Sequence, residues 1–434
     1  MSTDLIGVVG FGVLFALVFM GMPIAFAMLF VASVGFIVAV GFNEAMSVLA
    51  TAPYSVMASY MKSTIPLFVL MGTVAFRSGL ITDAYDMVRK WLASLSGGLA
   101  MATISAGAAF AACTGSSLAS FSVMTATALP EMRQYKYDIK LATGSIAAAG
   151  SLGILIPPSI QMIVYGLFAE VSIGKLFIAG ILPGLLLFSL YILTVYVWVK
   201  LRPSAGPRGP VVTWHEKLTS LKLGWPILLL GVLIIGGIWG GIFTPVEAGG
   251  FSAFVAFLIA FTRKRLTLQT IIGSIDDSIR ISAMVLMILM GAVMLNYFLV
   301  VTGLPSTVAS YILALPVSPV VLMIIIICFY LVMGCLMDAS GLILISLPIF
   351  IPVMNGLGID LVLFGIFLVL MVEIASVTPP IGLGVFVISG MARDVPMYTV
   401  FRGIVPFLLP MMVCVVLVLA FPQIALFLPN IMLG

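Results

Sequence analysis

The sequence predicts an all-α polytopic membrane protein made of two inverted repeats, each carrying a re-entrant hairpin and a broken helix. Three observations carry this reading. Of 434 residues, 63% are hydrophobic and 8% charged, and apolar runs long enough to span a bilayer as helices recur from end to end. Two Pro-Pro pairs, Pro157-Pro158 in GILIPPSI and Pro379-Pro380 in SVTPPIGLG, sit inside such runs. A double proline removes backbone donors and unwinds a helix, which at membrane depth is tolerated only where the freed groups line a cavity or are buried in protein. A spacing of 222 to 224 residues then aligns the two halves: the Pro-Pro pairs, Pro23 with Pro245, Gly79-Leu80 with Gly303-Leu304, Gly180 and Pro183 with Gly403 and Pro406, and Ser116 with Asp338.

The elements follow in chain order. The first repeat covers residues 1–200. Its scaffold region, 1–79, holds apolar crossings at about 4–21, 23–41 and 62–79. An amphipathic arm occupies 80–96, where Asp83, Asp86, Arg89 and Lys90 make a polar face. Residues 97–130 read as a re-entrant hairpin, because Thr114, Gly115, Ser116 and Ser117 put a small, polar centre where a continuous span would want bulk. The broken helix is 140–170, and a crossing at 174–200 closes the repeat. Residues 201–224 are the longest polar interval, too short to fold alone, and read as a cytoplasmic connecting loop or interfacial helix. The second repeat, 225–434, repeats the order: scaffold helices over 225–302 (crossings 225–242, 245–262 and 278–302), an arm at 304–318, a hairpin at 319–354 centred on Asp338, Ala339, Ser340 and Gly341, a broken helix at 360–391, and a last crossing at 400–430.

Lysine and arginine set the orientation. With the amino terminus outside, 17 of the 19 basic residues fall on the cytoplasmic side, and only Lys62 and Lys175 lie outside. Five crossings per repeat is odd, which inverts the second repeat relative to the first. The amino terminus has no basic n-region or small-residue cleavage site, so the first helix is expected to be retained.

Several function classes are excluded. Cys113, Cys328, Cys335 and Cys414 all fall in apolar stretches and read as small core residues. The one histidine, His215, lies in the polar connection, so histidine-based metal or nucleophile chemistry has almost nothing to work with. Two isolated carboxylates do not make an enzyme, no organic cofactor motif is present, and nothing marks a nucleic-acid surface. A channel would need a continuous polar stripe or charged ring. Breaks in corresponding positions of two halves point instead to a secondary transporter's site near the bilayer midplane, with lipid around it.

Each hairpin tip and its neighbouring break would gather freed carbonyls and hydroxyls, which suit hard cations, while half-helix amino termini offer positive dipole ends to an anion. Gly115, Ser116, Ser117, Pro157, Pro158 and Ser159 form the first candidate site; Gly334, Asp338, Ser340, Gly341, Thr378, Pro379, Pro380 and Gly382 form the second. Among these, Gly115, Ser116, Pro157, Gly334, Asp338, Gly341, Thr378 and Gly382 are the candidates for cation ligation. Ser116, Ser117, Ser159 and Thr378 are the candidates for substrate. For each hydroxyl the competing reading is a bond back to its own helix carbonyl. Glu373, deep in a crossing, is a possible coupling carboxylate or a structural carboxyl met by neighbouring backbone donors. Glu247, beside Pro245, reads as a helix amino-terminal acid.

At the level of motifs the chain resembles the large membrane subunit of the tripartite ATP-independent periplasmic (TRAP) transporters. The resemblance rests on IPLFVLMG from Ile65, TGSSLASFSVMTATALPEM from Thr114, GSLGILIPPSI from Gly150, TPVEAGG from Thr244, GCLMDASGLILISLPIFIPVMNGLGID from Gly334 and VEIASVTPPIGLGVFVISGMA from Val372. Leu361 stands where the family often has proline, and Leu370, Met371 and Val372 stand where it often has asparagine. The resemblance implies an ion-transporter-superfamily elevator fold in the bacterial inner membrane with a periplasmic amino terminus. It further implies symport of a small organic anion with sodium, two or more ions, in which the hairpins and broken helices slide as a unit against the scaffold. Its implied partners are a small four-helix membrane subunit and a soluble periplasmic substrate-binding protein. The competing reading within the class is a stand-alone sodium/dicarboxylate-type symporter of related fold.

Overall fold

The computed structural model describes residues 3–380 and 382–432; the side chains of residues 111–113, Cys113 among them, lie outside that description. Among the described residues all regular secondary structure is helical. The first half runs α1 (Thr3–Phe19), α2 (Ile24–Val40), α3 (Phe42–Met57), α4 (Thr64–Arg77), α5 (Leu80–Leu92), α6 (Gly98–Thr114), α7 (Ser117–Gln134), α8 (Ile139–Ser151), α9 (Ile160–Ala169) and α10 (Ile173–Leu201). The second half runs α11 (Trp214–Trp239), α12 (Pro245–Thr262), α13 (Leu268–Thr302), α14 (Leu304–Ala314), α15 (Pro319–Gly334), α16 (Ala339–Gly356), α17 (Leu361–Val377), α18 (Leu383–Met391), α19 (Met397–Ala420) and α20 (Gln423–Met432). By length and apolar composition, α10, α11, α12, α13, α16 and α19 can each cross a membrane. Outward faces carry large apolar side chains such as Phe30, Phe254 and Leu409, as lipid contact requires. The protein is a polytopic helical membrane protein.

Local chemistry sets the element ends, and it recurs between the halves. Gly79 and Gly303, both at left-handed φ, start the arms α5 and α14; at the first, the chain turns by 64°. Ser116 caps α7 and Asp338 caps α16, while Asp138 caps α8 and Asp360 caps α17. Each pair of caps is separated by the same 222 residues. The Pro157-Pro158 and Pro379-Pro380 peptide bonds are both cis. Thr244 and Glu247 form a capping box at α12, which agrees with the reading of Glu247 as a helix amino-terminal acid.

Four stretches differ from expectation. Helix α3 was not foreseen: its sequence mixes polar and apolar residues and contains Pro53, so it carries no membrane-length signal. Helix α11 begins at Trp214, inside the expected connecting loop, because Thr213 and Glu216 build a second capping box there. Helix α13 starts at Leu268 and runs 35 residues, roughly 50 Å, well beyond a hydrocarbon core of about 30 Å. The expected last crossing is two helices. Pro422 cannot continue α19 and forces Phe421 out of helical geometry, at φ −127° and ψ 77°. Of the three cysteines described, Cys335 and Cys414 are buried as expected, whereas Cys328 is exposed on the outer face of α15.

Packing sorts the helices into groups. Helices α2, α4, α12 and α13 pack on one another, with α1 and α3 against α2. In the other group the hairpins interlock with the breaks: α7 packs on α8 and α18, and α16 packs on α17 and α9. Helix α19 meets α8 backbone to backbone, so that a Cβ on Gly144 would lie 2.2 Å from the Gly403 carbonyl oxygen. Arm α5 packs on α6 and α11, and arm α14 packs on α16.

Candidate ion and substrate site

At the first junction the turn after α6 is pressed onto the break after α8. Gly115 adopts φ +57°, a region only glycine enters cheaply, and its carbonyl accepts from the Ile160 N–H at 3.4 Å. A Cβ there would stand 2.8 Å from the Pro158 carbonyl oxygen. Ser116 accepts from the Ala119 N–H at 3.5 Å and Ser159 accepts from the Met162 N–H at 3.3 Å. The amino termini of α7 and α9 therefore arrive side by side, each ending in a serine. Pro157, Pro158 and Ser159 are buried. A cavity of about 290 Å³ opens beside this tip, lined by Thr114, Ser116, Ala119 and Ile160 on one wall and by Thr73 of α4 and Arg280 of α13 on the other.

At the second junction α15 ends against the break after α17. A Cβ on Gly334 would meet Ala375 at 2.4 Å, so only glycine permits the approach. The next residue, Cys335, places its Sγ 3.7 Å from the Thr378 carbonyl and 3.5 Å from the Pro379 carbonyl. Asp338 accepts from the Gly341 N–H at 3.0 Å, and Gly382, at φ +56°, opens α18. Gly341 and Ser340 are buried in the first turn of α16, against Ile24 of α2. In contrast to the first break, Pro379 and Pro380 are exposed.

A hydroxyl–carboxylate contact joins the two junctions. The Ser117 hydroxyl donates to Glu373 Oε2 at 2.9 Å, and Ser376 donates to Oε1 at 3.4 Å and to the Glu373 carbonyl at 2.8 Å. Glu373 is thus held by side-chain hydroxyls, not by the neighbouring backbone donors expected of a structural carboxyl. The Thr378 hydroxyl donates back to the Ile374 carbonyl at 2.5 Å, the helix-internal arrangement that competes with ligand binding. Among the described residues no three His, Cys, Asp or Glu side chains converge. The donors at both junctions are carbonyls, hydroxyls and a single carboxylate, a set that suits a hard monovalent or divalent cation. Sequence reasoning missed Cys335, although it lies one residue after Gly334 and three before Asp338. It also missed the Asp138 and Asp360 caps, which the 222-residue spacing would have revealed.

Comparison with known proteins fits this geometry. The sequence model of the tripartite ATP-independent periplasmic transporter, DctM component, matches residues 11–424. The chain is 32% identical over 422 residues to the sialic acid TRAP transporter large permease protein SiaM of Vibrio cholerae, covering 96% of this chain and 97% of that one. It is 36% identical over 372 residues to the C4-dicarboxylate TRAP transporter large permease protein DctM of Pseudomonas aeruginosa, covering 86% of each. Among solved structures it is similar in fold to the Alcanivorax borkumensis YdaH transporter, with a TM-score of 0.67 at 17% identity over 88% of this chain and 90% of that one.

Proposed function

The chain belongs to the tripartite ATP-independent periplasmic transporter family as its DctM component, and we propose that it imports an organic acid anion in symport with sodium by an elevator motion. It is a transport protein, not an enzyme. The observation that carries the proposal is the pair of junctions, each a hairpin tip on a helix break, joined through Ser117 and Glu373. In this reading, at least two sodium ions sit among the carbonyl, hydroxyl and carboxylate oxygens of Gly115, Ser116 and Pro157 in one half and of Gly334, Asp338, Gly341, Thr378 and Gly382 in the other. The anion meets the paired amino termini of α7 and α9 through Ser116, Ser117 and Ser159. Residues 1–200 and 225–434 act as inverted repeats. The hairpins α6–α7 and α15–α16 move with the broken helices α8–α9 and α17–α18, against the scaffold of α1–α4 and α11–α13.

The cargo class follows the relatives, whose names give sialic acid and C4-dicarboxylates. A soluble periplasmic binding protein delivers the anion, and a small four-helix subunit completes the complex in the inner membrane, with the amino terminus periplasmic. The test is uptake into proteoliposomes holding the chain with both partners. Import is expected to require an inward sodium gradient; equal uptake driven by a pH gradient in sodium-free buffer overturns the proposal.

A further inference from the structure

A groove of about 470 Å³ runs along the outer surface between α10 and α19. Leu190, Leu193, Val197, Leu409, Pro410 and Val413 make its walls, Trp198 lies along it, and Arg202 stands at one end. A second recess, of about 830 Å³, adjoins it across Leu193 and contains Lys200 and Tyr196. Arg402 lies one helical turn before Pro406, which also lines the groove, and so belongs to the same end. Among the described residues none of these three cations forms an ion pair; Lys200 sits 5.9 Å from the Tyr196 ring and Arg402 4.3 Å from the Tyr398 ring. Asp138 lies near this end through its backbone bond to Ala205, but its carboxylate caps α8.

An apolar groove at membrane depth accepts any acyl chain, so the headgroup decides what it selects. Three cations without acidic partners, gathered at the end where lysine and arginine place the cytoplasm, complement an anionic phosphate. We propose that this groove is a binding site for an anionic phospholipid of the inner leaflet, its acyl chain beside Trp198 and its phosphate at Lys200 and Arg202.

Trp198 supplies the probe. The full chain is placed in phosphatidylcholine nanodiscs containing a small fraction of lipid brominated along the acyl chains, either phosphatidylglycerol or phosphatidylcholine. The difference between wild type and Trp198→Phe isolates quenching of Trp198. Brominated phosphatidylglycerol is expected to quench it several-fold more than brominated phosphatidylcholine. The excess is expected to vanish in Lys200→Gln/Arg202→Gln, to persist in Lys200→Arg/Arg202→Lys, and to persist in Lys264→Gln, which removes a cation elsewhere on the cytoplasmic side. Equal quenching by the two lipids, or an excess that survives removal of both charges, overturns the proposal. Should the double glutamine variant lose its fold, Val413→Phe, which fills the groove and leaves the cations in place, decides: retained excess quenching then refutes an acyl site.

Discussion

Replacing Gly115 by alanine attacks the first junction at its closest point. Two penalties add. At φ +57° an L-residue other than glycine is disfavoured by roughly 1–2 kcal/mol. The new Cβ would also lie 2.8 Å from the Pro158 carbonyl oxygen and 3.0 Å from the Ile160 nitrogen. Both are backbone atoms that cannot swing aside, so overpacking adds about 1–3 kcal/mol. The sum, about 2–5 kcal/mol, falls on one contact, and the cheapest relief is for the tip to lift off the break. At the lower end that is about a thirty-fold loss of the closed junction. The expected outcome in proteoliposomes is a half-saturating sodium concentration raised by at least that factor. Thermal unfolding in detergent should shift far less, because the helices themselves keep their packing. Gly231 of α11 is the control: a Cβ there meets nothing within 4 Å, so Gly231→Ala should transport like wild type. A Gly115→Ala protein with unchanged sodium dependence would refute the assignment of this junction to ion binding.

Three further outcomes are expected. Asp338→Asn keeps the shape of the α16 cap but loses its charge; sodium affinity should fall roughly 10- to 150-fold, for a charge-assisted contact of about 1.5–3 kcal/mol, with near-normal thermal stability, and Ser116→Ala should do less. Unchanged sodium dependence in Asp338→Asn would make the residue a cap alone. Ser117→Ala and Glu373→Gln should be non-additive in a double-mutant cycle on thermal stability, since the two side chains bond at 2.9 Å; additive effects would show that the halves are not coupled there. Asp83→Asn should strip the carboxylate from Arg263 and Arg265, which it meets at 2.8 and 2.7 Å. Because Arg265 is 38% exposed, the cost is nearer about 2 kcal/mol than the 3–5 of a fully buried pair; it should appear as faster hydrogen exchange in α5, and an unchanged exchange pattern would count against the clamp.

How much was legible in the sequence depended on whether the signal was local. Prolines, glycines and caps act within one turn, so the breaks, the arms after Gly79 and Gly303 and the tips at Ser116 and Asp338 could be read from residues alone. The partner of Glu373 could not. Ser117 lies 256 residues away, and no periodicity links a serine at a hairpin tip to a carboxylate in a crossing of the other half. Helix α3 was hidden for the opposite reason: it has no membrane-length apolar run, and its Pro53 reads as a terminator. The early starts of α11 and α13 show the same limit. Hydropathy marks the part of a helix that sits in lipid and is blind to the turns that protrude from it.

The distribution of directional bonds bears on the proposed elevator motion. Thr73 donates to the Ser274 carbonyl and Ser278 to the Pro66 carbonyl, both within the scaffold. Tyr165 donates to the Leu361 carbonyl and Ser117 to Glu373, both within the hairpin and broken-helix group. Among the described residues other than Cys335, no side-chain hydrogen bond or ion pair joins the scaffold helices to the hairpins and breaks. The polar links between the groups pass through arm α5, where Asp83 holds Arg263 and Arg265 on the scaffold side while Tyr85 and Arg89 reach Glu131 at the end of α7. Across the rest of the interface no such directional bond is formed among these residues, and the dispersion contacts that remain are non-directional and can be re-formed after a displacement without breaking a bond. A buried hydrogen bond left unmade costs about 1–3 kcal/mol, so a few of them across this seam would fix one state. Their confinement to the interior of each group and to the arm is the distribution that the proposed elevator motion requires.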